Sequence, residues 1–181
     1  MDIEKLILDA ASRGASDIHL TVGLPAVLRI DGALTDLDSG VLTQVELEEA
    51  TLALAGEREL DELRRTGETD FAATIGGSVR LRCNIYHQSR HTAMALRLLP
   101  VNIPTAEQLG LPSVIIQQAE KPHGLVIVTG PTGSGKSSTL AALIDHINRT
   151  ERRHIITLEN PIEYVHPRVR SVINQREIGV D

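Results

Sequence analysis

This sequence lacks paired cysteines, long apolar runs and an excess of positive charge, and each absence excludes a class of protein. The single cysteine, Cys83, cannot form a disulfide framework, so a reducing cytosolic compartment is expected. We expect Cys83 to be a small buried residue in a strand. No run of about 18 apolar residues is present, and no basic segment precedes an apolar stretch at the N-terminus. The sequence therefore predicts no transmembrane helix, no direct membrane insertion and no secretory signal.

The net charge of −6, from 18 Lys and Arg against 24 Asp and Glu, argues against general nucleic-acid binding. Negative charge is concentrated in residues 36–70, which carry eleven Asp or Glu and three Arg, whereas residues 71–106 carry neither Asp nor Glu. The second segment still holds four arginines, namely Arg80, Arg82, Arg90 and Arg97. Two interpretations remain open: these are ordinary solvated faces, or the arginines face an anion.

What the sequence does contain is a glycine-rich stretch that fits G-x-x-x-x-G-K-[ST] at every fixed position. Its residues are Gly130, Pro131, Thr132, Gly133, Ser134, Gly135, Lys136 and Ser137, followed by Ser138. Glycines allow a tight turn that brings backbone N–H groups onto phosphate oxygens. Lys136 can reach the β- and γ-phosphates of a nucleotide, and the Ser137 hydroxyl can ligate Mg²⁺. The pattern predicts a phosphate-binding loop between a buried strand over residues 124–129 and a helix over residues 138–147.

The residues before this loop predict a separate domain. Residues 1–99 show a helical spacing at the N-terminus, strand signals joined by turns, and then an antiparallel meander over residues 69–99, which together indicate a small α+β domain. Thr43 and Glu46 form a capping-box pattern that predicts the start of a helix, which Gly56 divides in two.

The segment that opens residues 100–113 is bracketed by prolines, which makes it the expected linker between two domains. Residues 114–181 then contain the glycine loop and two further predicted strands, at residues 154–158 and 170–174. A strand, a phosphate loop and a helix followed by more strands favour a parallel α/β sheet.

Two acids, Glu159 and Glu163, follow the predicted strand over residues 154–158, at the edge where ligands bind in open α/β sheets. A carboxylate there could orient or deprotonate an attacking water. The alternative is a polar loop with two solvated acids, and the spacing alone does not choose between them. His87 and His91 are four residues apart, but they lie in a strand-like region without a third ligand, so no zinc site is expected.

Further motifs link the chain to a known family. They are Ala-Ser-Asp-Ile-His-Leu at residues 15–20, Gly-Leu-Pro at 23–25, Arg-Ile-Asp-Gly at 29–32, Arg-Cys-Asn at 82–84, Leu-Leu-Pro at 98–100 and Asn-Gln-Arg-Glu at 174–177. With the Walker A region at residues 124–138 and a segment similar to the Asp box at residues 157–164, the chain resembles the secretion and pilus motor ATPases over essentially its whole length. Within them it is most similar to the PilT-like twitching-motility ATPases, which retract type IV pili.

The resemblance implies a PAS-like N-terminal domain over residues 1–99 and an incomplete α/β RecA-like P-loop NTPase domain over residues 114–181. It further implies a homo-hexamer that is cytoplasmic and peripheral to the inner membrane, where it engages a pilus inner-membrane platform protein. Such a motor uses ATP and Mg²⁺, and hydrolysis drives pilus retraction.

The same resemblance implies catalytic roles for individual residues. Glu163 would be the catalytic base, with Glu159 assisting it. Arg82 and Arg97, with Arg90 as an alternative, would be lent to the nucleotide by the N-terminal domain, which agrees with the acid-free arginine segment noted above. An arginine in such a position is worth roughly 10³–10⁵ in rate.

The sequence also departs from the family pattern. Asn160 stands where the Asp box usually has aspartate, and no histidine follows Glu177. The sequence stops at Asp181 without a Walker B acid, so we expect a fragment of a longer motor that binds nucleotide and does not turn it over. The alternatives are a pilus-extension or type II secretion ATPase, and a non-hydrolysing nucleotide-binding regulatory module. The short N-terminus and the single cysteine favour retraction over extension.

Overall fold

The computed structural model describes residues 1–38 and 40–179. The chain divides into two compact units, Met1–Leu99 and Pro100–Asp181. Val180 and Asp181, which the sequence analysis assigns to the second domain, lie outside the described residues. The linker role of residues 100–113 stays a prediction. No helix among residues 1–38 and 40–179 is long and apolar enough to cross a bilayer.

The first unit is a sheet with helices. Its helices are α1 (Ile3–Ser12), α2 (Gln44–Leu54) and α3 (Glu57–Thr66). Its strands are β1 (Ala15–Thr21), β2 (Val27–Ile30), β3 (Ala33–Asp36), β4 (Glu68–Ile75), β5 (Val79–Gln88) and β6 (His91–Leu99). The six strands form one antiparallel sheet in the order β3-β2-β1-β6-β5-β4. The predicted meander over residues 69–99 is therefore confirmed as β4, β5 and β6.

Helix boundaries in this unit follow local side-chain chemistry. The Thr43 hydroxyl accepts a hydrogen bond from the backbone N–H of Glu46 at 3.3 Å, and the Glu46 carboxylate accepts one from the Thr43 backbone N–H at 2.9 Å. This confirms the predicted capping box at the start of α2. Gly56 separates α2 from α3, as predicted, and α3 ends at Gly67 with a φ of 86°, which a glycine adopts without strain.

One face of this sheet forms the core and the other is polar, because side chains alternate along each strand. The core face buries Ile18, Leu81 and Cys83 completely, together with residues of the helices. The burial of Cys83 in β5 is as predicted. On the polar face, Arg97 of β6 lies directly opposite Arg82 of β5 on one side and opposite a β1 aspartate on the other. Arg82 and Arg97 therefore share one sheet surface.

Within residues 100–179, the second unit contains the helices α4 (Ser113–Ala119) and α5 (Lys136–Thr150) and the strands β7 (His154–Glu159) and β8 (Val172–Glu177). β7 and β8 pair in parallel, with His154 opposite Val172. The predicted parallel pairing is confirmed, but β8 begins and ends later than the predicted strand over residues 170–174. Because the pairing is parallel, the carboxyl ends of β7 and β8 lie side by side, and Thr157 is opposite Gln175.

The predicted buried strand over residues 124–129 is wrong for the described residues. This segment has no assigned strand, and Leu125 and Ile127 are 84% and 76% exposed. Its apolar, β-branched composition is typical of a strand buried in a sheet. A strand also needs a hydrogen-bonding neighbour, and the pairing of β7 within residues 40–179 is with β8 alone.

Candidate nucleotide-binding site

The glycine loop is shaped for close approach of a ligand to the backbone. Gly130 has a φ of 153°, which residues with a side chain rarely adopt, and an added Cβ would lie 2.6 Å from the Ser134 hydroxyl oxygen, so glycine is strongly favoured there. Gly135 precedes α5 with a φ of 86°, in the left-handed region that glycine favours. The chain can therefore turn directly from the loop into α5, and the first N–H groups of this helix are directed at the loop.

Lys136 brings a positive charge to the same loop. Its ammonium group donates hydrogen bonds to the backbone carbonyls of Gly130 and Pro131 at 2.9 and 2.8 Å. No acidic residue occurs between Gly124 and Ile144 to oppose that charge. The helix N-terminus, the glycines and the ammonium group together fit the phosphates of a nucleotide.

A cavity of about 320 Å³ lies against the start of α5. Ser137 lines it from the helix, and Glu159 and Glu163 line it from the end of β7 and the loop that follows. The structure thus brings together three residues that the sequence analysis placed in one site. A hydroxyl and two carboxylates around one cavity are oxygen donors of the kind that Mg²⁺ and an attacking water require.

Glu159 is held in a fixed orientation. Its Oε1 accepts a hydrogen bond from the Thr157 hydroxyl at 2.6 Å and another from the Gln175 side-chain amide at 3.1 Å. The carboxylate is half-buried at the carboxyl end of β7. Two hydrogen bonds to Oε1 restrict rotation of the carboxylate, so the orientation of the second oxygen, Oε2, is restricted as well.

The loop after β7 is tied to both neighbouring elements. The Tyr164 hydroxyl lies 2.9 Å from the Ser138 hydroxyl on α5, and the backbone N–H of Ile162 donates to Glu177 of β8 at 3.1 Å. No such role was predicted for Tyr164 or Glu177 from the sequence. The signal that could have found them is the parallel pairing itself, because it sets the end of β8 beside this loop.

His166 also lines the cavity, and it adds no positive charge near neutral pH. Burial lowers the pKa of His166, and the attraction of the Asp145 and Glu159 carboxylates only partly opposes this effect. Asp145 is buried on α5 and accepts a hydrogen bond from Arg149. The cavity therefore keeps a negative character from its two glutamates.

The two arginines predicted to meet a nucleotide lie on the polar face of the first unit, and both are ion-paired. Arg82 forms a two-pronged contact with Asp70, with Nε–Oδ1 and Nη2–Oδ2 distances of 3.0 and 2.7 Å. Arg97 donates from Nε to Asp17 at 3.0 Å. An acid-free stretch of sequence therefore does not mean unpaired arginines, because their carboxylates come from β4 and β1. Their contact with a nucleotide stays a prediction.

Comparisons with known proteins agree over the whole chain. The family model for type II/IV secretion system proteins matches residues 1–181. The type IV pilus retraction ATPase PilT of Pseudomonas aeruginosa is 39% identical over 181 residues, which are 100% of this chain and 53% of that protein. Type II secretion system protein E of Aeromonas hydrophila is 34% identical over 172 residues, which are 90% of this chain and 34% of that protein. The chain spans about half the length of the pilus ATPases it matches.

Solved structures of related ATPases also match this chain over nearly its whole length. A crystal structure of the pilus retraction motor PilT with bound ADP matches with a TM-score of 0.95 at 43% identity, covering 100% of this chain and 53% of that chain. The ATPase DotB of Legionella pneumophila matches with a TM-score of 0.78 at 29% identity, covering 98% of this chain and 52% of that chain. Since the family model covers every residue and these relatives align along nearly the whole sequence, the chain belongs to the type II/IV secretion system protein family.

Proposed function

We propose that this chain is part of a motor ATPase that couples ATP hydrolysis to type IV pilus retraction. The observation that carries the proposal is its likeness to PilT, with a TM-score of 0.95 over 100% of the chain. The glycine loop, the ammonium group above it and the acid-lined cavity support a nucleotide site in the same place. Because the chain spans about half the length of such relatives, the isolated 181 residues are proposed to bind nucleotide without sustained turnover.

The fold supports a finer assignment within this proposal. The first unit, with its antiparallel sheet and three helices, is proposed to be a PAS-like domain. The second unit, with a phosphate loop, a helix and parallel strands, is proposed to be an incomplete RecA-like ATPase core. Domain motion in such a motor would take place about the proposed linker, residues 100–113.

In the proposed reaction, the loop from Gly130 to Ser138 binds the phosphates of ATP. The Ser137 hydroxyl would hold Mg²⁺, which when bound neutralises charge between the β- and γ-phosphates. Glu163, assisted by Glu159, accepts a proton from the water that attacks the γ-phosphorus. The bond from that phosphorus to the bridging oxygen breaks, so ADP and inorganic phosphate leave. Lys136 stabilises charge on the phosphoryl oxygens throughout.

Arg82 and Arg97 are proposed to supply further positive charge to the nucleotide. They lie opposite each other across β5 and β6, which is an unfavourable arrangement for two like charges unless an anion or carboxylates compensate it. If they act on charge that develops during hydrolysis, Arg82→Ala and Arg97→Ala lower kcat far more than nucleotide affinity. Equal losses in both quantities would indicate ordinary ground-state binding instead.

The proposed assembly is a homo-hexamer in the cytoplasm, peripheral to the inner membrane, that engages the pilus platform protein there. A second candidate is a type II secretion or pilus-extension ATPase, which the 34% identity to type II secretion protein E favours. Deleting the gene separates the two directions of force. Loss of a retraction motor leaves extended pili that do not shorten, whereas loss of an extension motor leaves no pili.

ATP turnover by the complete protein tests the enzymatic part of the proposal. Lys136→Ala removes a charge-assisted contact worth about 1.5–3 kcal/mol in binding alone, so turnover falls to background. Lys121→Ala is the matched control, because Lys121 is an exposed lysine of the same unit and its loss leaves turnover unchanged. Normal turnover in Lys136→Ala would remove the site assignment. Nucleotide binding without any turnover in the parent protein would support the regulatory-module alternative.

A further inference from the structure

The Gln175 side chain joins three parts of the second unit. From its half-buried position on β8, its Nε2 donates to the Glu159 carboxylate at 3.1 Å and to the Tyr164 backbone carbonyl at 2.7 Å. Its Oε1 accepts from the backbone N–H of His166 at 2.8 Å. One amide group therefore connects the end of β7 with both ends of the short segment Tyr164 to His166.

These contacts fit a primary amide in one orientation only. Both groups that face Nε2 are acceptors, and the group that faces Oε1 is a donor, so a flipped amide would lose all three hydrogen bonds. A glutamate at this position would set a second carboxylate against Glu159 and against the Tyr164 carbonyl. An apolar residue of the same length would leave the half-buried polar groups without these partners.

The hydrogen bonds continue from Gln175 towards the glycine loop. Tyr164, whose carbonyl Gln175 binds, contacts the Ser138 hydroxyl through its own hydroxyl at 2.9 Å. Ser138 lies in the first turn of α5, directly after Ser137. Gln175 therefore contacts Glu159 directly and is linked through Tyr164 to the start of the phosphate-binding helix.

We propose that Gln175 is a positioning residue for ATP hydrolysis: it orients the Glu159 carboxylate, and its contacts with the Tyr164 loop hold the amide in place. This inference rests on the proposed function, because Glu159 has a catalytic consequence only if the cavity hydrolyses nucleotide. Gln175 acts through Glu159, so its effect on the rate depends on the presence of that carboxylate.

A double-mutant cycle in the complete protein tests this dependence. Gln175→Met keeps the side-chain length and removes the amide, and it lowers kcat roughly ten-fold with less than about a two-fold change in the KM for ATP. In the Glu159→Gln background, the same substitution changes kcat by less than about two-fold. An equal fold loss in both backgrounds would mean that Gln175 only supports the structure, and no loss in either would overturn the proposal.

Two further measurements keep the test decisive. Gln117→Ala removes an exposed glutamine of α4 and leaves kcat unchanged, which controls for loss of a glutamine as such. A crystal structure of the Gln175→Met protein shows the Glu159 carboxylate rotated from its position in the unmodified protein, and an unmoved carboxylate would contradict the proposal even if no turnover were detectable. Failure of the proposed function appears separately, as an unmodified protein that does not hydrolyse ATP.

Discussion

The carboxylate of Asp17 holds two arginines on the polar face of the first sheet. Arg97 Nε lies 3.0 Å from Oδ1, and Arg29 Nε lies 3.5 Å from Oδ2. Burial raises the pKa of Asp17, but hydrogen bonds from Arg97 and Ser16 and the charge of Arg97 outweigh it, so the pKa lies below its usual range. The ionised carboxylate is therefore the form that the folded state prefers.

We expect Asp17→Asn to lower the free energy of unfolding of the first unit by about 1 kcal/mol at pH 7. This value is small for a hydrogen bond between charged groups, because Arg97 is largely exposed and water screens its charge. A carboxyl group whose pKa is depressed by folding stabilises above its unfolded pKa of about 4, and that stabilisation is lost as the pH falls through the folded pKa. Urea denaturation at a series of pH values measures it. The difference from the unmodified protein should shrink in acid, and a difference independent of pH would contradict this explanation. Asp9→Asn, which removes an exposed ion pair with Arg13, is the control and should have little effect.

Cys83 gives a second test at this scale. Its side chain is fully buried, and burial, with a smaller contribution from the Asp70 charge, raises the pKa of the thiol to about 12. Because the thiolate is the reactive form, the folded protein should not react with an aromatic disulfide reagent at pH 8. The protein unfolded in urea should react and release one equivalent of the reagent's aromatic thiolate. Rapid labelling of the folded protein would mean that β5 opens readily or is packed differently.

Individual residues could be predicted from the sequence where their chemistry is local. Gly130 and Lys136 belong to a contiguous motif, so its spacing alone placed them in one loop. The partners of Arg97 and Glu159 could not be predicted, because Asp17 lies 80 positions away from Arg97 and Gln175 reaches Glu159 only through strand pairing. Contacts of that kind depend on strand register, which could not be predicted between strands so far apart in the sequence.

Helix α5 begins at the phosphate-binding loop, and near its other end Asn148 contacts residues 167–171, which lead into β8. Asn148, which is fully buried, donates to the Pro167 carbonyl at 2.7 Å and accepts from the backbone N–H groups of Val169 and Ser171, each at 3.3 Å. These bonds satisfy backbone groups in the segment that leads from the carboxylate loop into β8. Asn148 therefore holds the segment that leads into β8, while pairing with β7 holds β8 itself.

We expect Asn148→Ala to destabilise the second unit by about 1–3 kcal/mol, because it leaves the buried backbone N–H of Ser171 without this hydrogen bond and removes the bonds to Pro167 and Val169. Hydrogen–deuterium exchange in the complete protein reports on this segment, and the amides of residues 166–171 should exchange much faster. Asn174→Ala is the control. Asn174 is exposed, and its Oδ1 lies 2.7 Å from Nε2 of His154, which is also exposed. Similar exchange in the two variants would show that Asn148 does not organise the segment.

Among the elements, the predictions that rest on local signals were confirmed, whereas the predicted strand over residues 124–129 was wrong for the described residues. The capping box at Thr43 and the meander over residues 69–99 depend on neighbouring residues and short turns, so their sequence patterns were sufficient. The segment over residues 124–129 has a strand composition, but strand formation requires a neighbouring chain. Its exposed Leu125 and Ile127 show that composition alone does not supply one.

At the scale of the whole molecule, each of the two units contributes residues that are proposed to act on nucleotide. The phosphate loop and its glutamates belong to residues 100–181, and the paired arginines belong to residues 1–99. A nucleotide that binds the folded loop stabilises it by mass action, by about 2.7 kcal/mol at 100 times its Kd. In the complete protein, ADP should therefore slow hydrogen–deuterium exchange in residues 130–138 and raise Tm. Lys136→Ala should remove most of both effects, and protection confined to other residues would place the nucleotide elsewhere.

The proposed site and function depend most on where the phosphates bind, and a crystal structure of the complete protein with a non-hydrolysable ATP analogue and Mg²⁺ measures this directly. We predict that the β- and γ-phosphates contact the backbone between Gly130 and Ser138 and the Lys136 ammonium group, with Mg²⁺ on the Ser137 hydroxyl and Glu163 facing the γ-phosphate. An analogue bound away from this loop, or a loop that stays closed around the lysine with the nucleotide elsewhere, would contradict the assignment of both the site and the function.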